Sequence, residues 1–179
     1  MKLKFNKKIL FSFVALSSLL LVGCKPKVFK DTKNRNMEDY ASYHLFDIHT
    51  SMYTQKEDSY LIYIYRGAIE GLQTECPSCT DIKGVVLDFF DSFKEKGHKN
   101  FKGAYLYNWQ RNEIQRDSQY FKIANQEEIE KQNKEHIGVS TTEETYILGT
   151  PALYFITDHK LSGYIYSTND IGNWFYKNK

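Results

Sequence analysis

The apolar positions of this chain follow three rhythms, and each predicts a different element. From Ile9 to Val22 they run almost unbroken, interrupted only by three serines. From Ser59 to Tyr65 apolar and aromatic residues again follow one another without polar alternation, which predicts a central strand buried on both faces. Between Ile82 and Phe93 the rhythm changes. Ile82, Val85, Val86, Phe89, Phe90 and Phe93 recur at helical spacing, while Lys83, Asp88, Asp91 and Lys94 take the other faces. That spacing predicts an amphipathic helix with Gly97 as its terminator. Gly103 to Trp109 then predicts a strand parallel to the first, completing a strand–helix–strand unit.

Outside this unit the pattern is weaker. Tyr43 to Ile48 is expected as a short first strand, and Thr50 to Gln55 as a short helix or loop. From Gln110 to Leu148 the chain turns polar. Within that stretch Gln126 to His136 is expected to be helical, with Asn125 as N-cap and Glu128 at N3, and Ser140 to Thr145 is expected as loop. A strand follows Pro151 directly, Thr157 to Lys160 makes a turn, and Leu161 to Ser167 completes an antiparallel hairpin. Thr168 to Tyr176 predicts a last helix with Ile171, Trp174 and Phe175 on one face. There is no internal repeat and no low-complexity tract.

The length of 179 residues suits one domain, but the N-terminus stands apart from it. Lys2, Lys4, Lys7 and Lys8 precede the first apolar run. That run is shorter than the ~20 residues of a membrane span and has the layout of an export signal. Its ending, Leu21-Val22-Gly23-Cys24, resembles the bacterial lipobox. The resemblance implies cleavage after residue 23, a diacylglyceryl group on Cys24, and residence on the extracytoplasmic face of the plasma membrane. An uncleaved signal anchor is the alternative. Loss of residues 1–23 removes four lysines and no acid, taking the net charge from +2 to −2. With no basic stripe and no interleaved aromatic–basic motif, nucleic-acid binding is not expected. Residues 24–37 are polar and basic, and predict either a tether with its lysines and Arg35 near anionic headgroups or a solvated linker. The folded domain is expected over residues 38–179.

With Cys24 consumed by lipid, Cys76 and Cys79 are the cysteines left to the exported part. They stand two residues apart, after the central strand and at the start of the amphipathic helix. A helix N-terminus carries partial positive charge and unpaired N–H groups, which stabilise a thiolate, the form that attacks disulfides. Pro77 suits the first helical turn, where its missing N–H costs nothing. Two other roles for the pair remain open. CxxC is half of a structural zinc site, and only His44 and His49 have the spacing of a histidine pair that could complete it. A structural disulfide would close a very short loop and stabilise little. Asp88 and Asp91 are expected on a solvated helix face, the histidines lack the context of a catalytic triad, and no phosphate-binding glycine loop is present.

Cys76-Pro77-Ser78-Cys79, the strand–helix–strand unit around it, and Thr150-Pro151 opening a strand that leads into a hairpin and a final helix together resemble the thioredoxin superfamily. The resemblance runs from about Tyr43 to the C-terminus, and is greatest to small Gram-positive thioredoxin-like proteins such as the bacteriocin transport accessory type. It implies an α/β fold with a mixed central sheet flanked by helices on both faces. It also implies a cis-proline at Pro151 lying against the cysteines; a trans-proline starting an edge strand is the alternative. Carried over, Cys76 is the nucleophile, Cys79 the resolving thiol, and Thr150 with Pro151 the substrate-docking edge. The chain departs from the family pattern at three places. Glu75 stands where a tryptophan precedes the nucleophile, Leu61 to Tyr65 offers no buried carboxylate, and the approach over residues 66–75 is long. Glu75 and Asp81 are expected to raise the Cys76 pKa against the helix dipole. The implied function is membrane-anchored thiol–disulfide exchange on exported proteins or peptides. No cofactor is expected, and electrons would come from a membrane redox partner or an extracellular thiol. The competing expectation is a non-catalytic lipoprotein that binds a peptide or protein partner and keeps Cys76–Cys79 as a structural disulfide.

Overall fold

A strand with no polar side needs neighbours on both edges and cover on both faces. β1 (Ser59–Tyr65) has both in the computed structural model, which describes Phe29 and residues 31–67, 76–109, 121–123, 127, 137–147 and 149–179. The export signal, Cys24, residues 25–28, the approach over residues 68–75 including Glu75, and all of the helix expected at 126–136 except Glu127 lie outside the described residues. β1 pairs in parallel with β2 (Gly103–Asn108), Tyr60 opposite Gly103 and Tyr65 opposite Asn108. The short strands β3 (Lys122–Ile123) and β4 (Tyr146–Ile147) form a separate parallel pair. β5 (Ala152–Thr157) lies antiparallel on the other edge of β1, Ile64 opposite Ala152, and continues into β6 (Lys160–Ile165). The main sheet therefore has the order β2-β1-β5-β6 and mixes parallel with antiparallel pairing.

The hairpin turn between β5 and β6 is made by Asp158 and His159, both at positive φ (50° and 59°). Two left-handed residues match the twist of the flanking strands, which is why the turn expected at Thr157 to Lys160 closes so tightly.

Alternation along β1 divides the core in two. Leu61, Tyr63 and Tyr65 face a cluster built with helix residues such as Val86, Phe89 and Phe90. Tyr60, Ile62 and Ile64 face a second cluster with Met52, Tyr107 and Tyr154. The first cluster is roofed by α2 (Pro77–Lys96) and α3 (Thr168–Asn178), whose rings meet edge to face at Phe89 and Phe175, 5.2 Å apart. The second is covered by α1 (Ile48–Ser51), a single turn, and by Ile147 and Phe121. Among the described residues, both long helices thus lie on one face, where helices were expected on both. No helix among them is long and apolar enough to cross a membrane.

Three local expectations are corrected. The first strand reduces to one bridge, His44 beside Leu106, with the Leu45 amide donating to the Leu106 carbonyl at 2.9 Å. Asp47 stops it from extending: its carboxylate accepts the His49 amide (3.1 Å) and the Thr50 hydroxyl (2.7 Å), turning the chain into α1. The polar stretch Ser140 to Thr145, expected as loop, holds one 3-10 turn, Thr142–Glu144. Thr142 and Thr145 are buried, and Thr145 is bonded to the Tyr53 hydroxyl at 2.5 Å. Finally, much of the segment expected as tether or solvated linker packs on the domain. Phe29 is buried against α3, where a Cβ on Gly172 would come within 2.7 Å of its ring. Arg35 reaches Asp31, Asp88 and Asp91 at 2.6–2.8 Å.

Candidate active site

α2 begins where it does because Cys76 caps it. Cys76 is extended (φ −64°, ψ 116°), Pro77 fills the first helical position, and the Cys76 sulfur accepts the Cys79 amide at 3.3 Å. A side-chain acceptor at this position satisfies one of the four N–H groups that a helix start leaves unpaired. The Cys76 amide donates to the Arg66 carbonyl at 3.1 Å, so the end of β1 holds the cap from below. At the other end Gly97 takes a positive φ of 67° that a side chain would oppose. Lys94 and Lys96 lie in the last turn, where the helix dipole favours cations.

Thr150 and Pro151 come to the same place from the far end of the chain. The Thr150–Pro151 peptide bond is cis, and the Cys76 thiol donates to the Thr150 carbonyl at 3.5 Å. Pro151 is buried, and Ala152 beside it pairs with Ile64 of β1. The four residues singled out from the sequence, Cys76, Cys79, Thr150 and Pro151, are therefore brought together. Both cysteines are free thiols, 5% and 4% exposed, within the cluster under α2. Among the described residues, Pro77, Ser78, Gly149 and Thr150, next to the cysteines and Pro151 in sequence, are exposed or partly exposed.

The Cys79 thiol is pushed up to about 12, first by burial and next by Cys76; the Arg66 backbone and the Thr150 side chain pull the other way. Of the two carboxylates expected to act on Cys76, Asp81 is exposed on α2 and Glu75 lies outside the described residues.

The remaining candidates are placed elsewhere. His44 bonds the Met37 carbonyl at 3.1 Å, while His49 meets the Thr142 hydroxyl at 2.8 Å and Glu143 at 3.3 Å. Among the described residues no three His, Cys, Asp or Glu side chains converge where they could hold a metal ion. Asp88 and Asp91, expected on a solvated face, are instead tied to Arg35, and Asp88 also to Lys33 and Lys179. The arginine comes from a segment that local sequence pattern does not connect with α2.

Sequence reasoning missed two contributors. One is Arg66, whose carbonyl seats the cap. The other is Tyr63, buried in the same cluster as both cysteines. The period of two along β1 was the available signal for Tyr63, since it sets Tyr63 on one side with Leu61 and Tyr65. Compared with known proteins, the chain matches no family model, no curated protein and no solved structure.

Proposed function

We propose that this protein is a thioredoxin-like thiol–disulfide oxidoreductase, anchored through Cys24 on the extracytoplasmic face of the plasma membrane and acting on exported proteins. One observation carries this assignment. Cys76 is a free thiol at the N-cap of a 20-residue helix, with its sulfur between the Cys79 amide and the Thr150 carbonyl. A parallel strand–helix–strand unit, an antiparallel hairpin starting after Pro151 and a closing helix are the thioredoxin-like order of elements, and the main sheet is consistent with it.

Exchange requires two displacements. The Cys76 thiolate attacks a disulfide of the partner, forming a Cys76–partner bond and releasing one partner thiolate, which takes up a proton. Cys79, after losing its proton, attacks the Cys76 sulfur, closing Cys76–Cys79 and releasing the second partner thiolate. The partner disulfide gains two electrons and the protein dithiol loses two. In the opposite direction the Cys76–Cys79 disulfide accepts electrons from a substrate thiol. No diffusible cofactor takes part, and a membrane partner or extracellular thiol resets the pair. The Thr150 carbonyl beside the Cys76 sulfur gives an extended peptide an acceptor at the point of attack.

The redox equilibrium of residues 25–179 against graded glutathione buffers tests this, read by thiol alkylation and mass. The expected midpoint lies between about −120 and −270 mV, the span of exchange catalysts. A pair still oxidised below about −300 mV would be a structural disulfide, and the protein would then be a binding lipoprotein whose groove beside Pro151 holds a peptide.

A further inference from the structure

Tyr63 has a hydroxyl that packing alone does not account for. Its side chain is fully buried, stacked on Tyr65 (centroids 6.1 Å apart, 6° between planes) and edge-on to Phe175 at 5.5 Å. The neighbouring Tyr65 shows how such a group is normally satisfied, since its hydroxyl donates to Glu38 at 3.1 Å. The Tyr63 hydroxyl makes no hydrogen bond among the described residues. A buried donor left unpaired destabilises the fold, and phenylalanine would fill the same space without that cost. Tyr63 belongs to the same buried cluster as Cys76 and Cys79. Burial, and then the charges that Cys79 and Cys76 would carry, push its own ionisation well above the ordinary phenol value, so it remains protonated and keeps its O–H to donate.

We propose that the Tyr63 hydroxyl serves as the hydrogen-bond donor to the Cys79 sulfur when that sulfur carries charge, and so speeds the step in which Cys79 resolves a mixed disulfide on Cys76. The proposal rests on the exchange function above. In that step Cys79 gives its proton to solvent, its sulfur bonds to the Cys76 sulfur, and the Cys76–partner bond breaks. The departing thiolate then takes a proton from solvent, and Tyr63 keeps its own throughout. A burial-raised thiol makes thiolate scarce at neutral pH, so a donor in this apolar cluster, where electrostatic interactions are strong, acts on the rate directly. The hydroxyl breaks no existing bond to do so. Its unpaired state in the dithiol form and its pairing in the charged form favour the reacting state over the resting one.

The test uses the full-length protein in detergent, reduced, mixed with oxidised glutathione and quenched in acid at intervals for mass measurement. The wild type is expected to show a transient Cys76–glutathione adduct that disappears as Cys76–Cys79 closes. Tyr63→Phe is expected to lengthen the life of that adduct about tenfold, the effect of losing one hydrogen bond to a charged group, with a melting temperature equal to or above wild type. In a Cys76→Ser background, Tyr63→Phe is likewise expected to slow alkylation of Cys79 about tenfold. Wild-type adduct lifetime in Tyr63→Phe overturns the proposal and leaves the exchange function standing. So does slow resolution in Arg66→Gln alone, because the Arg66 Nε is the other buried unpaired donor among the described residues. A wild type that forms neither the glutathione adduct nor the Cys76–Cys79 disulfide overturns both.

Discussion

Burial holds the Cys79 thiol at about 12, so at neutral pH it waits as a thiol, while the Cys76 sulfur at the helix N-terminus accepts the Cys79 amide. The proposed exchange gives Cys76 the attacking role and Cys79 the resolving one, and substitution should expose the difference. Cys79→Ser keeps the first displacement and lacks the second, so covalent adducts with exported proteins should accumulate by at least about tenfold over wild type. Cys76→Ser should form none. Acid-quenched, non-reducing gels of cells carrying each variant make the comparison, and equal adduct levels in the two would contradict the assignment. Tyr63 belongs to this scale as well. Its face of β1 was legible from alternation, but the face that meets α2, and the lack of a partner for its hydroxyl, depend on how sheet and helix are brought together.

At the scale of elements, α2 is held by more than its apolar stripe. Arg35 bridges from the N-terminal segment to Asp31, Asp88 and Asp91, and also donates to the Gly84 carbonyl at 3.2 Å. Burial pushes the Asp88 carboxyl up, but hydrogen bonds and charge from Lys179 and Arg35 outweigh it and hold the group at about 2. A carboxylate depressed on folding adds stability above its unfolded value, lost as pH falls through its folded value. The cluster should therefore stabilise the fold at neutral pH and fade between about pH 4 and pH 2. Arg35→Ala should cost about 2 kcal/mol at pH 7, since it strands partly buried carboxylates without their cation. The gap from wild type should narrow as the pH falls through that window. Urea unfolding at several pH values measures it, and a gap independent of pH would show that Arg35 acts through packing alone.

For the whole molecule, the seating of Phe29 sets how far the domain can stand from Cys24. Four residues lie between Cys24 and Phe29, five steps along the chain and a reach of at most about 18 Å. If Cys24 carries lipid, the α2–α3 face on which Phe29 is packed stays close to the bilayer, and exported chains would meet the cysteines near the membrane surface. Cys24→Ala is expected to move the protein out of the membrane fraction and abolish palmitate labelling, with glutathione exchange at Cys76 unchanged. Retention of the variant in membranes would instead identify the apolar run as an uncleaved anchor.

The elements around the site were written locally and could be read there. Periodicity gave β1 and α2, Cys76 and Pro77 marked the helix start, and Pro151 marked the start of the strand that opens the hairpin, because strand period, capping and turn chemistry depend on neighbours in sequence. What only the tertiary structure decided are the meetings of residues far apart in the chain. The Thr150 carbonyl comes against a sulfur 74 positions earlier, and Arg35 reaches a carboxylate 56 positions later. Tyr63 enters the cysteine cluster without a partner for its hydroxyl. Each depends on which faces of sheet and helix are pressed together, a choice made by burial of the whole apolar surface and not encoded in any local stretch.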